Sequence, residues 1–363
     1  MAPLVSVIMP CRNAGRMLRP ALLGIAAQTH PNIEIIFVND ESTDDSLATA
    51  EDFAASGVLP FRITSAATRG VSAARAHGLT LAHGDYVQWH DADDEILPDK
   101  IALQVAALEA QSDVDIADGD WMKRVQMNDM PAPEKRWRPT PVADQLRRLL
   151  SLVWYPPHMF LLRRNAADLL AAEQAWWPGR KWAEDIEYFA VAALLGLRFA
   201  HTPEAVAVYN MWSAQQTTVA TDYPARALGL KEMFSRLGTF TARPEVRRRL
   251  NAEHRALLDQ NWDLWAVPTG NIAQRKNGGR SVTLLNRSTG KMLDVRPREA
   301  AVVPLIETKS TARFIAHHAT TATERAPTLF ADQAEVIFLL ERLRRAGVFM
   351  PVTPGKTSAS DAG

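Results

Sequence analysis

Only one of the 363 residues is a cysteine, Cys11, so no disulfide can form within the chain and no thiolate zinc site can be built. Neither sign of charge is in excess: 41 Lys plus Arg face 41 Asp plus Glu. This balance argues against a protein that holds nucleic acid or an anionic membrane by bulk electrostatics. Long hydrophobic runs are also missing. The stretch Phe189 to Leu195 is among the longest, far short of the roughly 20 apolar residues a membrane helix needs. The opening Met1-Ala2-Pro3-Leu4 has no basic region leading into an apolar segment, so no signal peptide is expected. These absences point to a cytoplasmic protein with no membrane insertion and no nucleic-acid partner. The remaining composition, 47% hydrophobic and 23% charged, is that of a globular chain of two or three domains.

The first 120 residues alternate strand and helix. Leu4 to Met9 and Ile33 to Val38 are short, nearly continuous apolar runs, as strands buried on both faces should be. Helical spacing follows over Arg16 to Gln28 and Asp44 to Ala55, the second expected to be capped by Ser42 or Thr43. A short strand at Pro60 to Thr64, a helix at Val71 to Ala82, a strand at Asp85 to His90 and a helix at Pro98 to Ala110 complete the series. The expected class is α/β, with a mostly parallel sheet covered by helices. Ligands in such sheets sit beyond the C-terminal strand ends. Here those ends carry Pro10-Cys11-Arg12-Asn13, then Asn39-Asp40-Glu41-Ser42-Thr43-Asp44-Asp45, then Asp91-Ala92-Asp93-Asp94-Glu95.

Asp91 and Asp93, one residue apart at a strand end, offer hard oxygen ligands to a divalent cation, and such an ion can neutralise leaving-group phosphate. Acidic triplets also solvate turns and cap helices. Asp40 can accept a hydrogen bond from a base or ribose hydroxyl, or can simply belong to a turn. The order and spacing of these pieces decide between the readings. Val5-Ser6-Val7-Ile8-Met9-Pro10 with Asn13, Ala27-Gln28-Thr29, Val38 through Asp44, Gly70-Val71-Ser72-Ala73-Ala74-Arg75, Gly84-Asp85-Tyr86 and Asp91-Ala92-Asp93-Asp94 together resemble the nucleotide-sugar-binding half of the family 2 glycosyltransferases, which have the GT-A fold. The resemblance implies a nucleotide-sugar site at Pro10, Asn13, Asp40, Arg75, Asp91 and Asp93. Asp40 would lie on the base and Arg75 near the nucleotide. Asp93 and Asp91 would hold Mn2+ or Mg2+. UDP is the expected nucleotide by family frequency. Arg12 stands where the family often has tyrosine, and Glu41 where it usually has glycine, which leaves the base preference open.

The second half reads as a long proline-rich loop over 122–157, a helix near Val142 to Leu152, a strand at His158 to Leu162, a helix at Glu184 to Leu195, and two short strands around Leu197 to His201 and Ala205 to Tyr209. The same resemblance places an acidic pair at Glu184-Asp185, with Asp185 as the catalytic base. Transfer with inversion needs one carboxylate on the acceptor side, and an Asp of ordinary pKa, about 4, is ionised at neutral pH. The competing reading is acidic charge complementing a helix dipole, worth about 0.3–1 kcal/mol. His158, Trp182 and Glu184 are candidates for the acceptor cleft. Trp176 and Trp177 offer aromatic faces for stacking but are equally good core residues, and Tyr209-Asn210-Met211-Trp212 is a candidate segment for closing the site.

Beyond residue 222 the pattern is helical and charged. The expected division is a glycosyltransferase domain at 1–221, a helical connector at 222–268, a small C-terminal domain at 269–352 and a disordered tail at 353–363. Residues 281–294 carry a hairpin pattern, and helices are expected at 297–306, 309–318 and 331–346. Strands followed by three helices suggest a winged helix. Leu284-Leu285-Asn286, Thr289-Gly290, Leu293 and Arg345-Ala346-Gly347-Val348 give this segment a likeness to the PqqD-like peptide-recognition domains of ribosomal peptide modification systems. Such domains take a leader peptide as an added strand. Here the peptide-binding edge would be Lys291, Met292, Leu293, Asp294 and Val295. A DNA-binding winged helix is disfavoured, because 281–350 holds ten Lys plus Arg against seven Asp plus Glu with no basic recognition helix.

The expectation is therefore a metal-dependent, inverting glycosyltransferase. Its acceptor would be a Ser, Thr or Cys side chain of a ribosomally made precursor peptide, or a glycan or small molecule if the C-terminal domain is only structural or dimerises the chain into a homo-oligomer. The alternative is a peptide-binding scaffold with an inactive transferase domain.

Overall fold

The computed structural model describes residues 1–127, 130–131, 135–137, 145–150, 154–179, 183–212, 223–258, 272–277, 281–287 and 291–300, with positions 339, 342, 343, 345, 346 and 348 near the C-terminus. The chain forms two compact units. The first takes residues 1–149, 154–221 and 239–249, and the second takes 150–153, 222–238 and 250–363. The stretch 222–268, expected as a connector, is thus shared between the units.

The first unit is built on β1 (Val5–Cys11), α1 (Leu18–Ala26), β2 (Ile33–Asn39), α2 (Ser46–Ala55), β3 (Phe61–Ser65), α3 (Val71–Leu81) and β4 (Tyr86–Trp89). It continues with β5 (Glu95–Ile96), α4 (Lys100–Ala110), β6 (Ile116–Met127), β7 (Met130–Pro131), β8 (Lys135–Trp137) and α5 (Gln145–Leu150). The last elements of its sheet layer are β9 (Leu161–Arg163), α6 (Arg164–Ala172), α7 (Glu184–Leu195) and β10 (Phe199–Trp212). The sheet order is β3-β2-β1-β4-β9-β6-β10-β5. Strands β3, β2, β1 and β4 are parallel, β9 runs against both β4 and β6, and β10 is parallel to β6.

All seven residues of β1 are buried, as its apolar run demands of a central strand covered on both faces. Ser6, polar within that run, is satisfied from two sides. Its hydroxyl donates to Glu34 Oε1 at 2.6 Å and accepts the Gly84 N–H at 2.7 Å. Helix α3 lies close on the sheet through small residues, and a Cβ at Gly78 would come within 2.5 Å of Ile8 Cγ2.

Two strands expected near the end of this unit are one. β10 runs from Phe199 to Trp212, and its register against β6 jumps between Thr202 and Val206, where Pro203, Glu204 and Ala205 bulge out with Glu204 at φ 68°. The proline reads as a break because it cannot join a ladder. Strand β6 enters the segment read as a loop only with its second half, and the charges Asp118, Asp120, Lys123 and Arg124 interrupt any apolar pattern along it. The strand expected at His158 begins only at Leu161, after a single 3-10 turn over Pro157–Met159.

In the second unit, α8 (Tyr223–Thr241) reaches into residues of the first, α9 (Pro244–Arg249) belongs to the first, and α10 (Ala252–Leu258) belongs to the second. A three-stranded antiparallel sheet follows, ordered β11 (Ile272–Asn277), β12 (Ser281–Asn286) and β13 (Met292–Val295), then α11 (Pro297–Ala300). The hairpin expectation holds for β12 and β13, and β11 is an addition. Asn286 is buried and its Nδ2 donates to the Val348 carbonyl at 2.6 Å. The expected helices at 309–318 and most of 331–346, and the tail, lie outside the described residues, as do Thr289 and Gly290.

Candidate active site

The parallel strands deliver their C-terminal loops to one rim. Pro10 is the penultimate residue of β1, opposite Val38 of β2. Asn13 follows in the left-handed region at φ 52°, a conformation Asn tolerates. Its N–H donates to Ser42 Oγ at 3.2 Å and its Oδ1 accepts the Thr43 N–H at 2.7 Å, so it ties the loop after β1 to the loop after β2. Ser42 is therefore engaged with Asn13 and does not cap α2. The helix starts at Ser46 after Asp45, with no side-chain cap; Asp44, just before, accepts the Ser46 N–H on Oδ1 at 3.0 Å and the Gly15 N–H on Oδ2 at 2.9 Å. Asp40 is 7% exposed, and its Oδ1 accepts the Gly70 N–H at 2.9 Å from the residue that opens α3.

Next to this rim lies the acidic strip after β4. Arg75, buried in α3, reaches it. Its Nη2 is 2.5 Å from Asp91 Oδ1, and its Nη1 is 3.7 Å from Glu184 Oε1. The guanidinium also lies 4.3 Å from the centre of the Trp176 ring, which stacks on Tyr188. Trp176 is thus core and platform at once, whereas Trp177 is 40% exposed. Burial, then the charge of Asp91, pushes the Asp93 carboxyl up to about 6. Asp94 is raised well above its ordinary value by burial and by Asp93 and Asp91. Asn210 of β10 braces the strip: its N–H donates to Asp94 Oδ1 at 2.7 Å and its Nδ2 to the Asp93 carbonyl at 3.0 Å. This gives the segment 209–212 a contact that its sequence pattern does not reveal.

His158 does not line a cleft. It is fully buried, with Nδ1 3.2 Å from Asp94 Oδ2 and its ring 5.7 Å from that of His90. Burial, then His90 and Lys100, holds it well below the usual imidazole value, so it is neutral beside Asp94 rather than an ion-pair partner. Neither ring nitrogen has a hydrogen-bond partner among the described residues. Donor atoms of Asp91, Asp94 and His158 gather within 4.8 Å of one another. Two carboxylates and a neutral imidazole with an unpartnered nitrogen are a donor set that fits a divalent cation. Asp91 belongs to this trio, and Asp93 stands beside it.

The acidic pair Glu184-Asp185 sits in the first turn of α7. Ala183, just before it, has φ 60°, a left-handed conformation costly for a residue with a Cβ. Asp185 is 8% exposed. Its Oδ1 accepts its neighbour's N–H, from Ile186, at 2.7 Å, and its Oδ2 accepts the indole N–H of Trp154. Its pKa is not the ordinary value expected above. Burial, followed by the charge of Glu184, pushes it up to about 7 against the pull of Trp154 and Arg75. Trp182 lies outside the described residues. Trp154 carries no signal in the sequence, since it sits in a proline-rich segment 31 residues before its partner.

In the second unit β13 is an edge strand among the described residues, paired with β12 only. Lys291 and Met292 are exposed, Leu293 is half-buried, Asp294 accepts the Thr283 hydroxyl at 2.5 Å, and Val295 is buried.

The chain is similar to known glycosyltransferases in sequence and in fold. The glycosyl transferase family 2 model matches residues 6–170. An uncharacterized glycosyltransferase of Escherichia coli, YibD, is 39% identical over 121 residues, 33% of this chain and 35% of that protein. One from Haemophilus influenzae is 36% identical over 103 residues, 28% of this chain and 41% of that protein. The chain therefore spans well under half the length of these relatives. A mannosyltransferase from Pyrobaculum calidifontis, solved with GDP-mannose and Mn2+, is similar in structure, with a TM-score of 0.52 and 19% identity over 96% of this chain and 87% of that one. The chain has a GT-A-type fold. Within it, residues 6–170 are similar to the family 2 glycosyltransferases. No described helix is long and apolar enough to cross a membrane.

Proposed function

We propose that the protein is a metal-dependent, inverting glycosyltransferase that moves a sugar from a nucleotide sugar, with UDP the first nucleotide to test. The observation that carries this reading is the buried guanidinium of Arg75, which faces Asp91 of the donor-side strip and Glu184 of the acceptor-side pair at once. It brings together the two halves of the chemistry, a diphosphate-neutralising site and a proton acceptor, in one constellation. Pro10, Asn13 and Asp40 would hold the nucleoside, and Asp91 and Asp93, with Asp94 and His158 behind them, would hold Mn2+ or Mg2+. That cation would neutralise charge on the departing diphosphate. Asp185, in its ionised form, would take the proton of the acceptor hydroxyl or thiol as it attacks the anomeric carbon from the opposite face. Arg75 keeps Asp91 oriented and offsets part of the acidic charge around the site.

The experiment is nucleotide release from a panel of sugar nucleotides with Mn2+ or Mg2+, comparing wild type with Asp93→Ala and Asp185→Asn. The expected result is slow, metal-dependent hydrolysis of one donor, abolished in Asp93→Ala. Asp185→Asn should keep donor binding and lose transfer. Folded protein that neither binds nor hydrolyses any donor refutes the reading.

The edge of β13, unpaired among the described residues, supports a second element of the proposal, that the acceptor is a peptide captured as an added strand along Lys291 to Val295. Chemical-shift changes confined to β12 and β13 on adding a precursor-like peptide would support it. An acceptor that is turned over equally well by protein carrying Leu293→Pro would count against it.

A further inference from the structure

We propose that Trp154 is a positioning residue for the proton-accepting carboxylate, its indole N–H fixing Asp185 Oδ2 and an aromatic brace fixing the indole. The proposal rests on the assignment of Asp185 made above.

A carboxylate held by one bond can still turn about its last torsion, which is broad for Asp. Asp185 has one bond from within its own helix, from the Ile186 N–H to Oδ1. The second bond, to Oδ2, comes from a distant segment of the chain, the loop after α5, through Trp154 Nε1. Two donors on two oxygens set the plane of the group and leave one lone pair on each oxygen for an incoming hydroxyl. The choice of tryptophan matters chemically. An indole N–H donates only and does not titrate, so it cannot take up the proton intended for the carboxylate, as a hydroxyl or imidazole could. A donor aimed at the carboxylate also favours the ionised form. That opposes burial and the charge of Glu184, while Arg75 pulls the same way as Trp154.

The indole itself is held by packing. Its ring meets Tyr209 edge-on at 4.9 Å and 70°, and Trp121 at 6.0 Å and 80°. Tyr209 stands on β10 and Trp121 on β6, two strands paired in parallel, so the brace rests on the sheet. The position of the carboxylate is thereby referred to the sheet as well as to α7.

The test uses the whole 363-residue chain labelled with 15N in its indoles. One indole resonance, missing from Trp154→Phe, should move with pH through a midpoint near neutrality and stay fixed in Asp185→Asn. Trp154→Phe keeps a ring against Tyr209 and removes the donor. With Mn2+ and the donor found in the panel, nucleotide release at pH 7 should fall about tenfold or more, with donor Kd within about twofold of wild type. The acidic limb of the pH profile should move to higher pH. Tyr209→Leu, which loosens the brace and leaves the donor, should give a smaller loss in the same direction. It also serves if Trp154→Phe does not fold. Unchanged turnover and an unmoved limb in these variants, or an indole signal indifferent to Asp185, overturn the proposal. Wild-type protein that releases nucleotide from no donor refutes the assignment of Asp185 itself, and the positioning role falls with it even if the indole follows the carboxylate.

Discussion

At the scale of single residues, burial sets the chemistry. Asp185 and Asp93 look alike in sequence to any exposed Asp, yet their environments push them up to about 7 and about 6. A carboxyl whose native pKa is raised stabilises the fold at low pH, and that contribution is lost as pH rises through the native value. For Asp185 the loss should run from about pH 4 to above 7. Asp185→Asn is therefore expected to raise stability by on the order of 2 kcal/mol at pH 8 and to change it little at pH 4, as urea denaturation at the two values would reveal. The wild-type rate of nucleotide release should move oppositely, rising with pH through about 7 as the base ionises. A site that costs stability in its working protonation state is expected of a catalytic carboxylate and is hard to explain for a helix-capping one.

At the scale of elements, the site depends on how β6 and β10 pair. Gly119 of β6 passes directly under the β10 bulge, and a Cβ there would lie 2.1 Å from the Ala205 carbonyl oxygen. Backbone on backbone cannot give way as a flexible side chain can. Gly119→Ala should cost about 1–3 kcal/mol and displace the strand that carries Tyr209 and Asn210, so turnover should fall together with the melting temperature. Full activity in a destabilised Gly119→Ala would show that the brace and the acidic strip tolerate movement of β10. The elements themselves were unevenly legible. The apolar runs of β1 and β2 and the helices between them announce themselves, because a strand buried on both faces must be apolar throughout. Strand β6 does not, because it carries Asp118, Asp120, Lys123 and Arg124. Their partners come from distant parts of the chain: His201 lies 2.6 Å from Asp118, and Arg124 lies 2.5 Å from Glu95.

At the scale of the whole molecule, the chain divides into two compact units whose boundaries do not follow the sequence in order. The residues assigned to the donor and the base, from Pro10 to Asp185, all belong to the first unit, and the β13 edge belongs to the second. In calorimetry, a matching donor nucleotide with Mn2+ should raise the transition of the first unit, by about 2.7 kcal/mol in stability at a hundredfold excess over Kd. It should leave any separate transition of the second unit unmoved. Equal shifts of two transitions would place ligand contacts on both units.

Local chemistry and order along the chain were enough to establish the alternation of strand and helix, the acidic strip after β4, and the Glu184-Asp185 pair at a helix start. Each of these depends on neighbours within a few residues, which is the range over which a sequence pattern constrains structure. Only the tertiary structure decided that Arg75 stands between Asp91 and Glu184, that His158 is buried behind Asp94, and that Trp154 holds Asp185. Those relations join residues from 16 to 109 positions apart, differences read directly from their numbering. They arise because packing, and not adjacency in the chain, brings charged groups out of water and into one another's field.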